Sequence, residues 1–218
     1  MCGRIGASMP RAELLATYGW LSDAPEPEPR YNIAPTDPVI SVGPQRAEMV
    51  RWGMEGRKGG LFNLRSETAI DRPLYQGLLL SRRVVVPASF FYEWRLKGGR
   101  RWPVAITRVD GRILNLAGVL GRWQGQPAVT ILTTVPNAEI TPLHNRMPVV
   151  LADDDAATWV LEELSLRQIA EFLRPYADGG LRLDPASILV NDVRNQGASL
   201  LDASLLPANF QLELMPRP

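Results

Sequence analysis

The sequence holds one cysteine, one histidine and only two lysines, Lys58 and Lys97, in 218 residues. A lone cysteine rules out an internal disulfide. With a lone histidine it cannot assemble an N/S zinc site, which takes three or four such ligands, so neither a metal nor another cofactor is expected. Long apolar runs are missing too. The longest uncharged stretch, Trp123 to Ala138, is interrupted by Gln, Gly and two prolines and falls short of the about 20 apolar residues of a membrane-crossing helix. No charged-then-apolar ramp follows Met1, so no secretory leader and a cytoplasmic location are expected. Repeats are absent, and the one biased tract is the short Pro25-Glu26-Pro27-Glu28-Pro29.

What is present fits one globular domain over residues 1–218, with a core at about 2–197 and a tail at about 198–218. The chain is 45% hydrophobic and 22% charged, and its length is near the top of the range for one domain. The net charge of +1 gives no reason to expect nucleic acid, but its distribution does. Residues 1–101 carry 15 Lys/Arg against 10 Asp/Glu, whereas residues 102–218 carry 9 against 13. Nearly all the positive charge is arginine, which binds phosphate in a fork and stacks on flat rings. A GC-rich coding bias would give the same excess, so the asymmetry is compatible with a basic groove without establishing one.

Helices are predicted at Pro10 to Tyr18, Pro73 to Leu80, Asp153 to Leu161 and Ser165 to Leu173. The acidic triplet Asp153-Asp154-Asp155 suits a helix N-terminus. Ser22 to Arg30 reads as a surface loop. β-type runs bounded by Gly and Pro lie at Val39 to Val42, Glu48 to Trp52, Val84 to Val86, Phe90 to Arg95, Val104 to Ile106, Ile113 to Leu120, Val129 to Thr133 and Met147 to Leu151, with a last strand at Ser187 to Val190. Strands crowd the middle without βαβ alternation. The expected fold is therefore α+β, a mainly antiparallel, barrel-like sheet with peripheral helices.

Four residues could carry chemistry. Removal of Met1 would leave Cys2 with a free amine and a thiol on adjacent carbons, a pair suited to aldehydes: the amine condenses to a Schiff base and the thiol closes a thiazolidine. The same pair could attack an acyl carbon. Glu93 follows nine uncharged residues, Val84 to Tyr92; desolvation there would raise its pKa toward neutrality and suit it to acid/base work, whereas an outward-facing Glu93 would merely pair with Arg95 or Lys97. His144, between Pro142 and Pro148, is the only side chain that titrates near neutrality unperturbed; it is either structural or mounted on a stiffened loop for use. The segment Asn63-Leu64-Arg65-Ser66-Glu67-Thr68 reads either as a helix cap or as an amide and a guanidinium aimed at a substrate. Trp52 and Trp94 adjoin arginines, which suits base stacking as well as core packing.

Together these pieces resemble one family. The motifs are Cys2-Gly3-Arg4, Tyr31-Asn32-Ile33-Ala34-Pro35, Arg51-Trp52-Gly53, Asn63-x-Arg65-Ser66-Glu67-Thr68, Arg82-Arg83 with Pro87-Ala88, Phe91-Tyr92-Glu93-Trp94, Leu116-Ala117-Gly118, Ile131-Leu132-Thr133-Thr134, His144-x-Arg146-Met147-Pro148 and Val190-Asn191. In this order, from residue 2 to about 197, they are similar to the SOS response-associated peptidase (SRAP) family of abasic-site processing proteins. The resemblance implies a protein of the DNA damage response that binds single-stranded DNA containing abasic sites, associates with the nucleoid in use, and traps the ring-opened sugar aldehyde as a thiazolidine. It implies Cys2 as nucleophile, Asn63 as its orienter, Glu93 as acid/base and His144 as donor to the sugar oxygen. Arg4, Arg65 and Arg146 would hold phosphates and Trp94 would pack on a base or sugar, with Asn32, Pro35 and Trp52 in the same DNA-binding set. A peptidase-like step unmasking Cys2 is implied as well, together with lyase-type chemistry; no protein partner follows. The chain departs from the pattern at Met54-Glu55-Gly56-Arg57, Phe90, Asn145 and Pro136. Two other readings stay open: an N-terminal-nucleophile amidohydrolase of the glutamine amidotransferase kind, and a non-enzymatic single-strand DNA-binding domain in which Cys2 is incidental.

Overall fold

The computed structural model describes residues 2–57 and 59–202. In chain order the elements are β1 (Ile5–Ala7), α1 (Arg11–Thr17), β2 (Arg30–Ile33), β3 (Pro38–Val42), β4 (Ala47–Trp52), β5 (Met54–Gly56), β6 (Gly59–Leu61), β7 (Asn63–Arg65), α2 (Ser66–Asp71), α3 (Pro73–Ser81), β8 (Arg83–Ala88), β9 (Phe90–Lys97), β10 (Arg100–Arg108), β11 (Leu114–Trp123), β12 (Gln126–Thr134), β13 (Met147–Pro148), β14 (Val150–Leu151), α4 (Asp153–Leu161), α5 (Leu166–Phe172) and β15 (Leu181–Pro185).

Strands β12, β4, β3, β8 and β11 pair in that order, and β11 pairs back onto β12, closing a five-stranded barrel. Its contacts are antiparallel except for β12 with β4; β7 lies outside this ring and also runs parallel to β12. Closure leaves these strands no open edge, and β8, with the barrel interior on one face and α3 and α4 against it, is buried along its whole length. A second sheet, ordered β15-β10-β9-β1-β2, flanks the barrel.

The helices lie outside the strands, as the α+β reading expects. The C-termini of α3 and α4 converge on one buried cation: the Arg83 guanidinium donates to the carbonyls of Leu79 and Trp159 at 2.6 Å each and of Glu162 at 2.5 Å. These are the carbonyls that helix ends leave unbonded, where positive charge is favoured. Asp153-Asp154-Asp155 does open α4, but Asp153 also anchors a polar network. Arg108 Nη1 meets Asp153 at 2.5 Å and Nη2 meets Asp110 at 2.5 Å, Arg112 reaches Asp153 at 2.8 Å, Asn115 donates to Asp153 at 3.0 Å, and the Tyr18 hydroxyl donates to Asn115 at 2.7 Å. Those bonds, from Arg108 above all, hold the Asp153 carboxyl down to about 2 against the opposing effect of burial.

Two expectations change. Ser187 to Val190 forms no strand but a 3-10 turn at Ile188–Asn191: the Ser187 side chain accepts from Leu189 N–H, and Val190 N–H donates to the Ser187 carbonyl at 3.0 Å. Local bonds of this kind compete with a ladder. Neither Asn63 nor Ser66 caps α2, whose N-cap is Arg65 without a side-chain bond. Of the expected tail, Ala198–Leu201 form a further 3-10 turn, and residues 203–218 lie outside the described residues.

Candidate active site

Register decides where the N-terminal tip falls. Strand β1 is inserted between β2 and β9, with Ile5 opposite Phe91, Gly6 opposite Phe90, and Tyr92 N–H donating to the Arg4 carbonyl at 2.9 Å. Continued backwards, that antiparallel register sets Gly3 against Glu93. The fold thus lays the start of the chain beside the one carboxylate buried in the apolar run of β9.

Cys2 is fully buried, and its carbonyl accepts a 2.7 Å bond from Asn63 Nδ2. Asn63 stands at the start of β7, opposite Ile131 of β12; its Oδ1 is buried with no partner among the described residues. Burial pushes the Cys2 thiol well above the usual thiol range, helped by the charge of Glu93 and opposed by the positive amino terminus and the Arg4 N–H. Glu93 is 3% exposed. Burial pushes its carboxyl up to about 7, the amino terminus and the Trp94 N–H pulling the other way. Near neutrality such a group holds its proton about half the time and can give or take one.

Glu93 and Gly3 line a cleft of about 840 Å³ with Arg4, Trp94, Leu96, Arg100, Arg101, His144, Ile188 and Asn191. His144 sits half-buried in the loop before β13, its pKa lowered by burial first and then by the amino terminus. Its Nδ1 lies 2.9 Å from the Arg146 N–H and 3.1 Å from the Arg146 carbonyl. A lone pair on Nδ1 would accept the first bond and a proton there would donate the second, so the tautomer decides which is made. On the opposite wall, Arg4 Nη1 donates to Asn32 Oδ1 at 2.6 Å and to the Val190 carbonyl at 2.8 Å, and its guanidinium lies 5.6 Å from the centre of the Trp94 ring. Trp94 Nε1 donates to Asn191 Oδ1 at 2.7 Å.

Cys2, Asn63, Glu93, His144, Arg4 and Trp94 are therefore gathered at one end of the molecule. The remaining residues of the expected set are placed differently. Asn32 is fully buried behind Arg4, and its Nδ2 holds the carbonyls of Val190, Asp192 and Asn195 at 2.9–3.3 Å; it braces the cleft wall and does not face the cleft. Trp52 is also fully buried and donates to the Phe62 carbonyl at 2.9 Å, so its ring packs the core and presents no face for a base. Arg146, expected to hold phosphate, is buried and bound through both terminal nitrogens to Glu67 at 2.8 and 2.9 Å. Arg65 is exposed, on the same face of β7 as Asn63. Pro35 lies in the turn between β2 and β3 and is not among the residues lining the cleft.

Sequence reasoning passed over Arg100 and Arg101, which extend the cleft along the β9–β10 hairpin. The signal was there: Arg95, Lys97, Arg100 and Arg101 bracket Gly98-Gly99, whose φ values of 57° and 71° are the left-handed pair that a tight hairpin turn requires. Among the described residues no group of three or more His, Cys, Asp or Glu side chains is placed to hold a metal ion.

The family description SOS response associated peptidase (SRAP) matches residues 1–193. Among similar proteins, abasic site processing protein YoaM of Bacillus subtilis is 33% identical over 196 residues, covering 82% of this chain and 86% of its own. Abasic site processing protein YedK of Escherichia coli is 28% identical over 222 residues, covering 92% and 99%. The crystal structure of a protein from Bacteroides thetaiotaomicron superposes with a TM-score of 0.79 at 20% identity, over 92% of this chain and 99% of that one.

Proposed function

The chain belongs to the SOS response associated peptidase (SRAP) family, and from that premise we propose that it processes abasic sites in DNA: it binds single-stranded DNA, opens the sugar left by base loss and captures its aldehyde on Cys2. Relatives along nearly the whole chain carry the name abasic site processing protein. The observation that supports the finer reading is that buried Cys2 feels the charge of Glu93 and directly precedes Gly3, which with Glu93 and His144 lines an arginine-bearing cleft.

The chemistry runs in balanced steps. Met1 is removed by hydrolysis, a peptidase-like step at this same site, freeing the Cys2 amine. An abasic deoxyribose is mostly a closed hemiacetal. Glu93 takes the hydroxyl proton and delivers it to the ring oxygen, to which His144 Nε2–H holds a hydrogen bond, and the ring opens to the aldehyde. The amine adds to the carbonyl carbon, Glu93 carries a proton from its nitrogen to the departing hydroxyl, and one water leaves as the imine forms. The thiol sulfur then bonds to the imine carbon and its proton passes to nitrogen, closing the five-membered ring. The thiolate is the attacking form, so the thiol, whose pKa burial raises, must release its proton as sulfur reaches the imine carbon, and the nitrogen takes that proton up. The Asn63 bond to the Cys2 carbonyl holds the tip in register with the sugar.

Arg4, Arg100 and Arg101 suit phosphates, whereas Trp94, Leu96 and Ile188 offer apolar faces to bases or sugars, the combination that single strands require. The same cationic lining favours a polyanion over free glutamine, which supports this reading above an amidohydrolase. Association with the nucleoid follows from the substrate. The test is incubation with a uracil-containing single strand treated with uracil glycosylase. It should yield an adduct stable to heat and SDS, with a mass one water below the sum of Met1-free protein and DNA. Absence of an adduct at neutral pH overturns the proposal.

A further inference from the structure

Glu67 opens α2, on a different element from every group used above. Its carboxylate grips the Arg146 guanidinium through two parallel bonds of 2.8 and 2.9 Å, and Arg146 Nη2 donates to the Thr133 carbonyl of β12 at 2.5 Å. The Arg146 side chain is 9% exposed and that of Glu67 52%; the pairing holds the Glu67 carboxyl below the usual carboxylate range. A forked pair of this kind fixes orientation as well as position. It ties residue 146, in a loop without regular structure, to both the barrel and α2.

The backbone of that residue is what the His144 ring touches. Arg146 presents to Nδ1 an N–H at 2.9 Å and a carbonyl at 3.1 Å. The first demands a lone pair on Nδ1, the second a proton. A small rotation of residue 146 would exchange one for the other and move the ring proton between nitrogens, and a histidine with its proton on the wrong nitrogen cannot donate where it should. We infer that Glu67 is a positioning residue, whose clamp on Arg146 keeps the ring proton of His144 on Nε2. The kinetic part of this inference rests on the abasic-site reading; the tautomer itself does not.

Because His144 is the only histidine, the two ring nitrogens of uniformly 15N-labelled full-length protein can be observed without assignment. The wild type should show Nε2 protonated and Nδ1 accepting. Glu67→Ala should mix the two tautomers and slow adduct formation by at least about tenfold, the lower bound for removing groups that orient functional histidines. Glu67→Gln, which keeps one acceptor for Arg146, should fall between them, and it carries the comparison alone if Glu67→Ala does not fold. A folded variant whose nitrogen spectrum matches the wild type overturns the inference, whether or not the rate falls. So does tighter binding of undamaged strand with an unchanged ring, which would make Glu67 only a neutraliser of Arg146. A wild type that forms no adduct defeats the functional reading and leaves the spectrum to decide the role of Glu67.

Discussion

Two polar clusters of this molecule, one around Arg108 and one around Cys2, are built on opposite terms. Around Arg108, the guanidinium, the carboxylates of Asp110 and Asp153, the Asn115 amide and the Tyr18 hydroxyl bond to one another. Around Cys2, the polar atoms are crowded but less completely satisfied: Arg4 Nε, Asn63 Oδ1, Thr133 Oγ1 and Arg146 Nε are buried without a hydrogen-bond partner among the described residues. Unmade bonds in the interior cost about 1–3 kcal/mol each. The Arg108 network joins the end of α1, the β10–β11 connection and α4. The Cys2 cluster keeps groups in strained protonation states, with an acid raised to about 7. Perturbed titration together with unsatisfied atoms marks a site built for something other than holding the chain together.

The sharpest way to break this contrast is Cys2→Ala, which should abolish the DNA adduct while leaving the denaturant midpoint nearly unchanged; any remaining adduct on gels would remove Cys2 from the centre. Arg108→Ala should show the reverse. It strands a half-buried Asp153 and an exposed Asp110 and should lower stability by about 1–3 kcal/mol in urea unfolding, with the adduct rate per folded molecule intact. A rate that fell in step would join the two clusters functionally. Next comes Glu93→Gln, expected to slow the adduct about a hundredfold in single-turnover assays without loss of fold; an unchanged rate would exclude Glu93 as the proton carrier.

The smallest effect lies in pH, where the two clusters should oppose each other. The Glu93 carboxyl rises from 4.5 to about 7 on folding, so its contribution is fully favourable below pH 4.5 and is lost as pH climbs toward 7. Asp153 falls from 3.8 to about 2, so its contribution is present above pH 3.8 and is lost as pH drops toward 2. Thermal melts across pH 2–8 should lose the neutral slope in Glu93→Gln and soften the acid slope in Asp153→Asn. Matching slopes in both variants would erase the distinction.

The strands of the barrel were legible because β8, β11 and β12 are apolar along their length. Asp153–Leu161 was read to the residue because its acidic start and apolar face agree. Of the strands that carry the site, Phe90–Lys97 was legible but three were not: Ile5–Ala7, Arg30–Ile33 and Asn63–Arg65 are three or four residues long and exist only through partners far away in sequence. Leu181–Pro185 failed for the same reason, being held by β10. Individual reactive residues were found because chemistry singles them out. Which arginines face the cleft was not, since a guanidinium meant for phosphate and one pinned to Glu67 look alike in a sequence. The Arg108 network was invisible, its directly bonded members lying up to 97 residues apart.

The outer wall of the cleft, residues 188–196, belongs to no sheet. It is fastened by the Arg4 and Asn32 side chains, and by Gln196, which bonds the backbone of Asn32 in both directions. Amide protons there can reach solvent through a local opening that leaves every barrel strand zipped, so their exchange should be governed by those few clasps and not by global unfolding. On the proposed reading, a strand entering the cleft would press on a wall clasped by the side chains of Arg4, Asn32, Trp94 and Gln196.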